Sequence, residues 1–212
     1  MDAGRTLQIF WDLLTCVIKY VILHYMIKTQ LNECIKNTLK FPDSDNIQQR
    51  GIADKLENAC NEIIKNTFGS IVRPAKSRRS IEDINIGNTY VDHKSSDAAL
   101  DFKMPNMISI DRLKKLDREL IYNFIVYDSN KKQIINTFAL NVYELNWEHL
   151  KIQNLGKGQL QIANMVEFLK SPKTDLTKEQ WLDKLKQEAI VFYKKVQRDA
   201  EKRQQEWQIY QL

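Results

Sequence analysis

The sequence predicts an α/β domain of the α+β kind, a mixed β-sheet flanked by helices, with a helical segment leading into it. Three observations carry that reading. Apolar residues recur at helical spacing near both ends of the chain, whereas from Ile81 onward the period changes to two, as in strands with one buried face. Short turn signals, Gly87-Asn88 and Asp128-Ser129-Asn130, separate consecutive strands, so part of the sheet is built from hairpins. The 212 residues are enough for one real core, and the absence of internal repeats excludes a solenoid or propeller.

The first helical block is expected over residues 7–39, stopped by Phe41-Pro42. Residues 9–27 of that block are strongly apolar, but Asp12, Lys19 and His24 interrupt them, so the uncharged stretches fall short of a membrane span. No basic leader followed by a small-residue cleavage site precedes them. A helix apolar nearly all round belongs in a core or a subunit interface. Residues 1–50 are therefore read as an N-terminal helical, dimerisation segment and 51–212 as the body of the fold. A second helix follows over 52–66, with Ile52, Leu56, Ala59, Cys60, Ile63 and Ile64 on one stripe and Gly69 closing it. The segment 73–79 is basic, and extended or loop-like. Strands are expected at 81–86, 89–95, 120–127 and 134–145, with a short helix fitting between 108 and 116. Thr177 and Gln180 make a capping-box pattern at the start of a charged helix, whose buried face would carry Trp181, Leu185, Ile190, Phe192 and Val196.

Lys and Arg number 32 against 27 Asp and Glu, and the resulting +5 permits an anionic partner without requiring one. Cys16, Cys34 and Cys60 have neither disulfide-framework nor zinc spacing, which fits a reducing, cytoplasmic setting.

The chemistry concentrates at residues 81–94. If Gly87-Asn88 is a two-residue turn, paired residues have numbers summing to 175, and Asp83 faces Asp92 across the hairpin. Alternation then puts Ile84, Ile86, Thr89, Val91 and His93 on one face, fit for a core, and Asp83, Asn85, Tyr90, Asp92 and Lys94 on the other. Two opposed carboxylates repel, and a cation between them relieves the repulsion. Mg²⁺ suits such a site because it needs only one or two carboxylates and keeps several waters. With Lys94 on the same face, the set is equipped for metal-assisted phosphodiester hydrolysis. The plainer alternative is an exposed hairpin with ordinary surface charge. His93 faces away and is read as a packed histidine; His24 and His149 have no metal-like spacing.

An acid on one strand followed by D-x-K on the next resembles the signature of the PD-(D/E)xK nucleases. Within that superfamily the chain is similar to the type II restriction endonucleases, and most closely to the HincII-like and EcoRV-like blunt-cutting group. Val91-Asp-His-Lys-Ser-Ser96 and Met104-Pro-Asn-Met-Ile-Ser109 resemble the D-V-K-T and P-N-I-I-S stretches of that group. Gly51-Ile-Ala-Asp-Lys-Leu56 resembles its G-x-x-x-E-K-L helix, and Thr177-Lys-Glu-Gln-Trp181 its entry to a long C-terminal helix. The resemblance implies a restriction-endonuclease-like core in a nuclease domain over 51–212. It further implies Mg²⁺ held by Asp83 and Asp92, Lys94 as catalytic lysine, and Asp54 as the supporting helix acid. Glu82 stands where the family has proline and is the alternative first ligand.

For the double-stranded DNA, Arg73, Lys76, Arg78 and Arg79 are expected to contact phosphates. Asn154, Lys157, Gln159, Gln161 and Asn164 are candidates for base readout, since Asn and Gln can bind adenine bidentately; a polar hairpin at a sheet edge is the other reading of that stretch. Ser95, Ser96, Asp97 and Lys103 would flank the cut. One hydrolytic centre per protomer calls for a two-fold homodimer on a short palindromic site. Cutting leaves 5′-phosphate ends, and the family implies a cognate DNA methyltransferase. A repair or recombination nuclease of the same superfamily, a resolvase or nickase, and a non-catalytic DNA-binding module are the alternatives.

Overall fold

The structure, a computed structural model, describes residues 14–15, 25–43, 49–77, 80–100, 106–153 and 158–210. Helix α1 (residues 25–38) and helix α2 (Gln49–Phe68) bury an apolar residue every fourth position: Ile27, Leu31 and Ile35, then Ile52, Leu56, Cys60 and Ile64. On a 3.6-residue period this makes a narrow stripe, and both stripes lie on one face of a five-stranded sheet. Gly69, at φ +59, turns the chain out of α2. Most of the apolar segment 9–27, with its expected dimer interface, lies outside the described residues.

The sheet is formed by β1 (Val72–Pro74), β2 (Ile84–Ile86), β3 (Thr89–Asp97), β5 (Glu119–Asp128) and β6 (Gln133–Asn141), in the order β1-β2-β3-β5-β6. The β3–β5 pair is parallel and the others antiparallel, so the sheet is mixed. Strand β5 lies between β3 and β6 and is buried on both faces. Ile121, Ile125 and Tyr127 point to α1 and α2, while Leu120, Tyr122, Phe124 and Val126 point to a second core. The Tyr122, Phe124 and Tyr127 rings are thus core.

That second core is covered by a three-stranded sheet of β4 (Asn106–Ser109), β8 (Gln159–Ile162) and β7 (Leu150–Gln153), by α4 (Met165–Lys170) and by the start of α5 (Lys178–Ile209). Trp181 is its anchor. It is fully buried, its Nε1 donates to the Leu145 carbonyl at 2.9 Å, and its own carbonyl accepts from Trp147 Nε1 at 3.2 Å. The Thr177–Gln180 capping box forms as expected.

The short helix expected between 108 and 116 is present as a single turn, α3 (Ile110–Leu113), directly after strand β4. Ser109 caps that turn, and the Ile108 amide donates to the buried Tyr122 hydroxyl at 3.0 Å. The strand expected to reach 145 ends at Asn141, whose side chain caps a 3₁₀ turn at Val142–Glu144. On α5 the buried positions are Trp181, Leu185 and Ala189, not Ile190, because a spacing of four continues along the face set by Trp181. Among the described residues no helix is long and apolar enough to cross a membrane.

Candidate active site

Gly87 sits at φ +57, the left-handed conformation a two-residue hairpin turn requires and glycine supplies without strain. The turn locks the register Ile86↔Thr89, Asn85↔Tyr90 and Ile84↔Val91, the pairing expected from the turn. The paired residues end at Ile84↔Val91, and the Asp83 amide donates to the same Val91 carbonyl, at 2.9 Å, so Asp83 leaves the register of the ladder. The expected Asp83↔Asp92 pair is not formed, yet the two carboxyls come within hydrogen-bonding reach of each other. Ile84, Ile86 and Val91 enter the core beneath α1 and α2, while Asp83, Asp92 and Lys94 line a cleft of about 440 Å³ on the opposite face. Across the cleft stand Asn106 and Ser109 of β4, Arg112 of α3 and Gln159 of β8. The site thus occupies the seam between the large sheet and the small one.

Asp92 is 8% exposed and Lys94 Nζ lies 2.8 Å from each of its carboxylate oxygens. Burial pushes the Asp92 carboxyl up to about 7; the Lys94 ammonium opposes the rise and Asp83 adds to it. One oxygen of Asp83 accepts the His93 amide at 2.6 Å, and its carboxyl is within hydrogen-bonding reach of both Asp92 and Glu57. Glu57 projects from α2. Its carboxyl is raised by partial burial first, then by Asp83 and by Asp54. Three carboxyls in a row against one ammonium leave two negative charges uncompensated when all are ionised, a balance that suits a divalent cation. Among the described residues no group of three or more His, Cys, Asp or Glu side chains is placed to hold a metal ion. Mg²⁺ can be held by fewer protein ligands, one or two carboxylates with water. The donor set therefore fits that ion.

His93 faces the other way, as its parity requires. Its Nδ1 meets Asn123 Nδ2 at 2.9 Å and its Nε2 meets Asn61 Oδ1 at 3.2 Å; pairing with an amide donor and an amide acceptor assigns the proton to Nε2. Burial lowers its pKa to about 4, so the ring is neutral and structural. Asn61 is one helical turn beyond Glu57, so α2 reaches both His93 on β3 and Asp83 just before β2.

Asp54, the expected helix acid, is exposed and acts on the cluster only through its charge on Glu57; Glu57 makes the contact. The signal was present in the sequence, since Glu57 sits beside Leu56 of the buried stripe and one turn before Asn61. Glu82, the alternative ligand, is buried but accepts from Asn85 Nδ2 at 3.3 Å and lines the adjacent cavity, whereas Asp83 lines the cleft with Asp92 and Lys94.

Arg73 and Lys76 are exposed beside the hairpin. Arg78, Arg79, Lys103, Asn154 and Lys157 lie outside the described residues. Ser95 is half-buried, Ser96 is buried, and buried Asp97 accepts the Ala99 and Ser129 amides at 3.0 and 3.1 Å, holding the chain after β3 and not facing a duplex. Gln159 lines the cleft and donates to the Met107 carbonyl at 2.6 Å. Gln161 is buried between Gln153, from which it accepts, and Asn106, to which it donates. Asn164 caps α4, accepting from the Val166 and Glu167 amides at 2.9 and 3.2 Å. Bidentate reading of adenine uses both ends of an amide, and Gln161 and Asn164 already have one or both engaged. Gln161 is buried within the small sheet, whereas Asn164 is exposed with its Oδ1 held by the cap.

No protein-family model and no curated protein matches this chain.

Proposed function

We propose that the chain is a Mg²⁺-dependent endonuclease acting on double-stranded DNA, of the type II restriction class. The observation that carries the reading is the arrangement of Asp83, Asp92 and Lys94 on one face of a register-locked hairpin, backed by Glu57 and opening into a cleft with cationic walls. Asp83 and Asp92 would hold the ion, which when bound polarises the phosphoryl oxygen and activates a water. Lys94, already beside Asp92, places a positive charge where the phosphorane oxygens develop negative charge and can orient the attacking water. Glu57, whose raised carboxyl is poised to take a proton near neutrality, holds Asp83 in place. Water adds to phosphorus and the P–O3′ bond breaks. The 3′ oxygen takes up a proton, so the products carry 5′-phosphate and 3′-hydroxyl ends. Cutting both strands requires two such centres, hence a two-fold homodimer.

The test is a digest of unmethylated phage DNA by the purified chain, with Mg²⁺ against Ca²⁺ and Lys94→Ala beside the wild type. A fixed ladder of fragments that needs both Mg²⁺ and Lys94 is the expected result, and sequencing its ends gives the site and cut geometry. Cleavage confined to branched or mismatched duplexes would assign the protein to the repair nucleases. No cleavage of any duplex would overturn the reading in favour of a binding module.

A further inference from the structure

A second cavity of about 460 Å³ adjoins the acid cleft and shares Ser80, Ile81 and Arg112 with it. Its place is set by the ladder. Arg73 on β1 pairs with Asn85 on β2, which pairs with Tyr90 on β3, so the three form one row across the sheet. They stand on the same face as Asp83 and Asp92, two residues further along, or ~7 Å at the rise of a strand. That spacing is of the order of the separation of successive phosphates along one nucleic-acid strand.

The cavity walls carry four cations, Arg73, Lys76, Arg112 and Arg118. Among the described residues Arg73, Lys76 and Arg112 form no ion pair. Arg118 has only Asp117 at 3.9 Å, and its guanidinium lies 5.2 Å from the Tyr90 ring centroid, which steadies the fork over the cavity. The Tyr90 hydroxyl holds Asp117 at 3.2 Å. The carboxylate in the wall, Glu82, is turned toward Asn85 Nδ2. The net field is positive, beside a cluster whose net field is negative. Guanidinium forks match the paired oxygens of a phosphate.

We infer that this cavity is a second phosphate seat, which holds the backbone phosphate next to the scissile one on the same strand. The inference rests on the nuclease reading for its ligand, though the seat itself is an anion site whether or not DNA is cut. Arg112, shared by both cavities, spans the two phosphates, and Arg118 with Arg73 fixes the outer one. A nuclease with such a seat draws the chain taut across the acid pair, so loss of the seat weakens positioning while the hydrolytic groups remain.

Two titrations on the full chain test this separately from the activity. The first uses inorganic phosphate, followed by calorimetry and by the side-chain Nε–H resonances of arginine. The wild type should bind one phosphate, and Arg118→Gln should weaken binding by about tenfold or more, as expected for a lost charge-assisted hydrogen bond. Arg118→Lys, which keeps the charge and loses the fork, should fall between. Arg73→Gln alters an exposed side chain and so weakens binding without touching the fold. The second measures duplex binding in Ca²⁺ against salt. Each of these two Gln variants should reduce the slope of log affinity on log salt by about 1. Phosphate binding equal in all variants, or absent from the wild type, overturns the seat. A wild type that binds phosphate at Arg118 but neither binds nor cuts DNA sinks the nuclease reading and leaves the seat. DNA cleavage with an unchanged salt slope in the variants does the reverse.

Discussion

Ionising Asp92 should destabilise the folded chain, and Asp92→Asn should relieve that burden. The carboxyl stands at about 7 in the fold against 3.8 for a free aspartate. At about 1.4 kcal/mol per tenfold change, the gap amounts to roughly 4 kcal/mol. The sign follows from proton counting. Between pH 3.8 and 7 the unfolded chain has released this proton and the folded chain keeps it, so stability falls as pH rises through that window and stays low above it. His93 works in the opposite sense. Its pKa is lowered to about 4, so its contribution is complete above 6.5 and is lost as pH falls toward 4. Glu57, raised to about 7 by partial burial and then by Asp83, acts in the same sense as Asp92, so the raw profile of the wild type sums opposing slopes and the difference between wild type and Asp92→Asn is the informative quantity. The assay is urea unfolding at half-unit pH steps from 4 to 8.5 in a chelator. The variant should gain on the wild type as pH rises, levelling off above pH 7 at a few kcal/mol. Asparagine keeps the shape of the side chain, and Lys94, still 17% exposed, keeps contact with water. Added Ca²⁺ at pH 8 should then stabilise the wild type by about 2.7 kcal/mol at a hundredfold excess over its dissociation constant, and leave the variant unmoved. Parallel pH profiles for the two proteins would refute the account of Asp92. Equal stabilisation of both by Ca²⁺ would refute the acid pair as the cation seat.

Two further outcomes are expected. Glu57→Gln should weaken divalent-cation binding by about 10- to 100-fold, the usual effect of losing a partner that orients a ligand, whereas Asp54→Asn should change it by less than about threefold; calorimetry with Mg²⁺ or Mn²⁺ reads the difference, and reversed effects would restore Asp54 to the supporting role. Gly158→Ala should cost about 1–3 kcal/mol in chemical denaturation, because the residue sits at φ +79 and an added Cβ would stand 3.0 Å from Phe192 and 3.1 Å from Ile110.

How legible the fold was depended on how long each pattern ran. The i, i+4 stripes of α1 and α2, the turn at Gly87, the capping box at Thr177 and the long strand β5 all repeat over enough residues, or carry enough local chemistry, to be read directly. The small sheet was not legible. Strands β4, β7 and β8 are four residues each, too short for alternation to register, and β4 is strand only because β8 pairs with it and Tyr122 receives its amide. The site divides in the same way. Asp83, Asp92 and Lys94 were visible because one tight turn fixes their register and the strand period fixes their face. Glu57 was missed because its relation to Asp83 is tertiary, and motif matching favoured the acid one turn earlier. Arg112 and Arg118 carry no local signal. Arg112 reaches the cleft, and Arg118 the cavity beside it, because the β3–β5 crossover brings the start of β5 and the α3 turn back beside the hairpin.

The spacing D-x-K follows from this architecture. A strand presents every second residue to one face, so an acid and an ammonium that share that face at the shortest spacing are separated by a residue committed to the other face. Here that residue is His93, and its neutral ring is bound by Asn61 and Asn123 beneath α2. A slip of one residue would drive Asp92 into that core and bring His93 into the cleft, which the apolar packing of Ile84, Ile86 and Val91 opposes on the same strands. The register that holds the core is thus the register that assembles the site. The strain of the arrangement falls on Asp92, a carboxyl kept in a buried place where it ionises reluctantly. Such a charge is uncomfortable in the free fold, and on the proposed reading a bound cation would relieve it, so the group that weakens the folded state would also be the one that gives a metal ion the most to gain by binding.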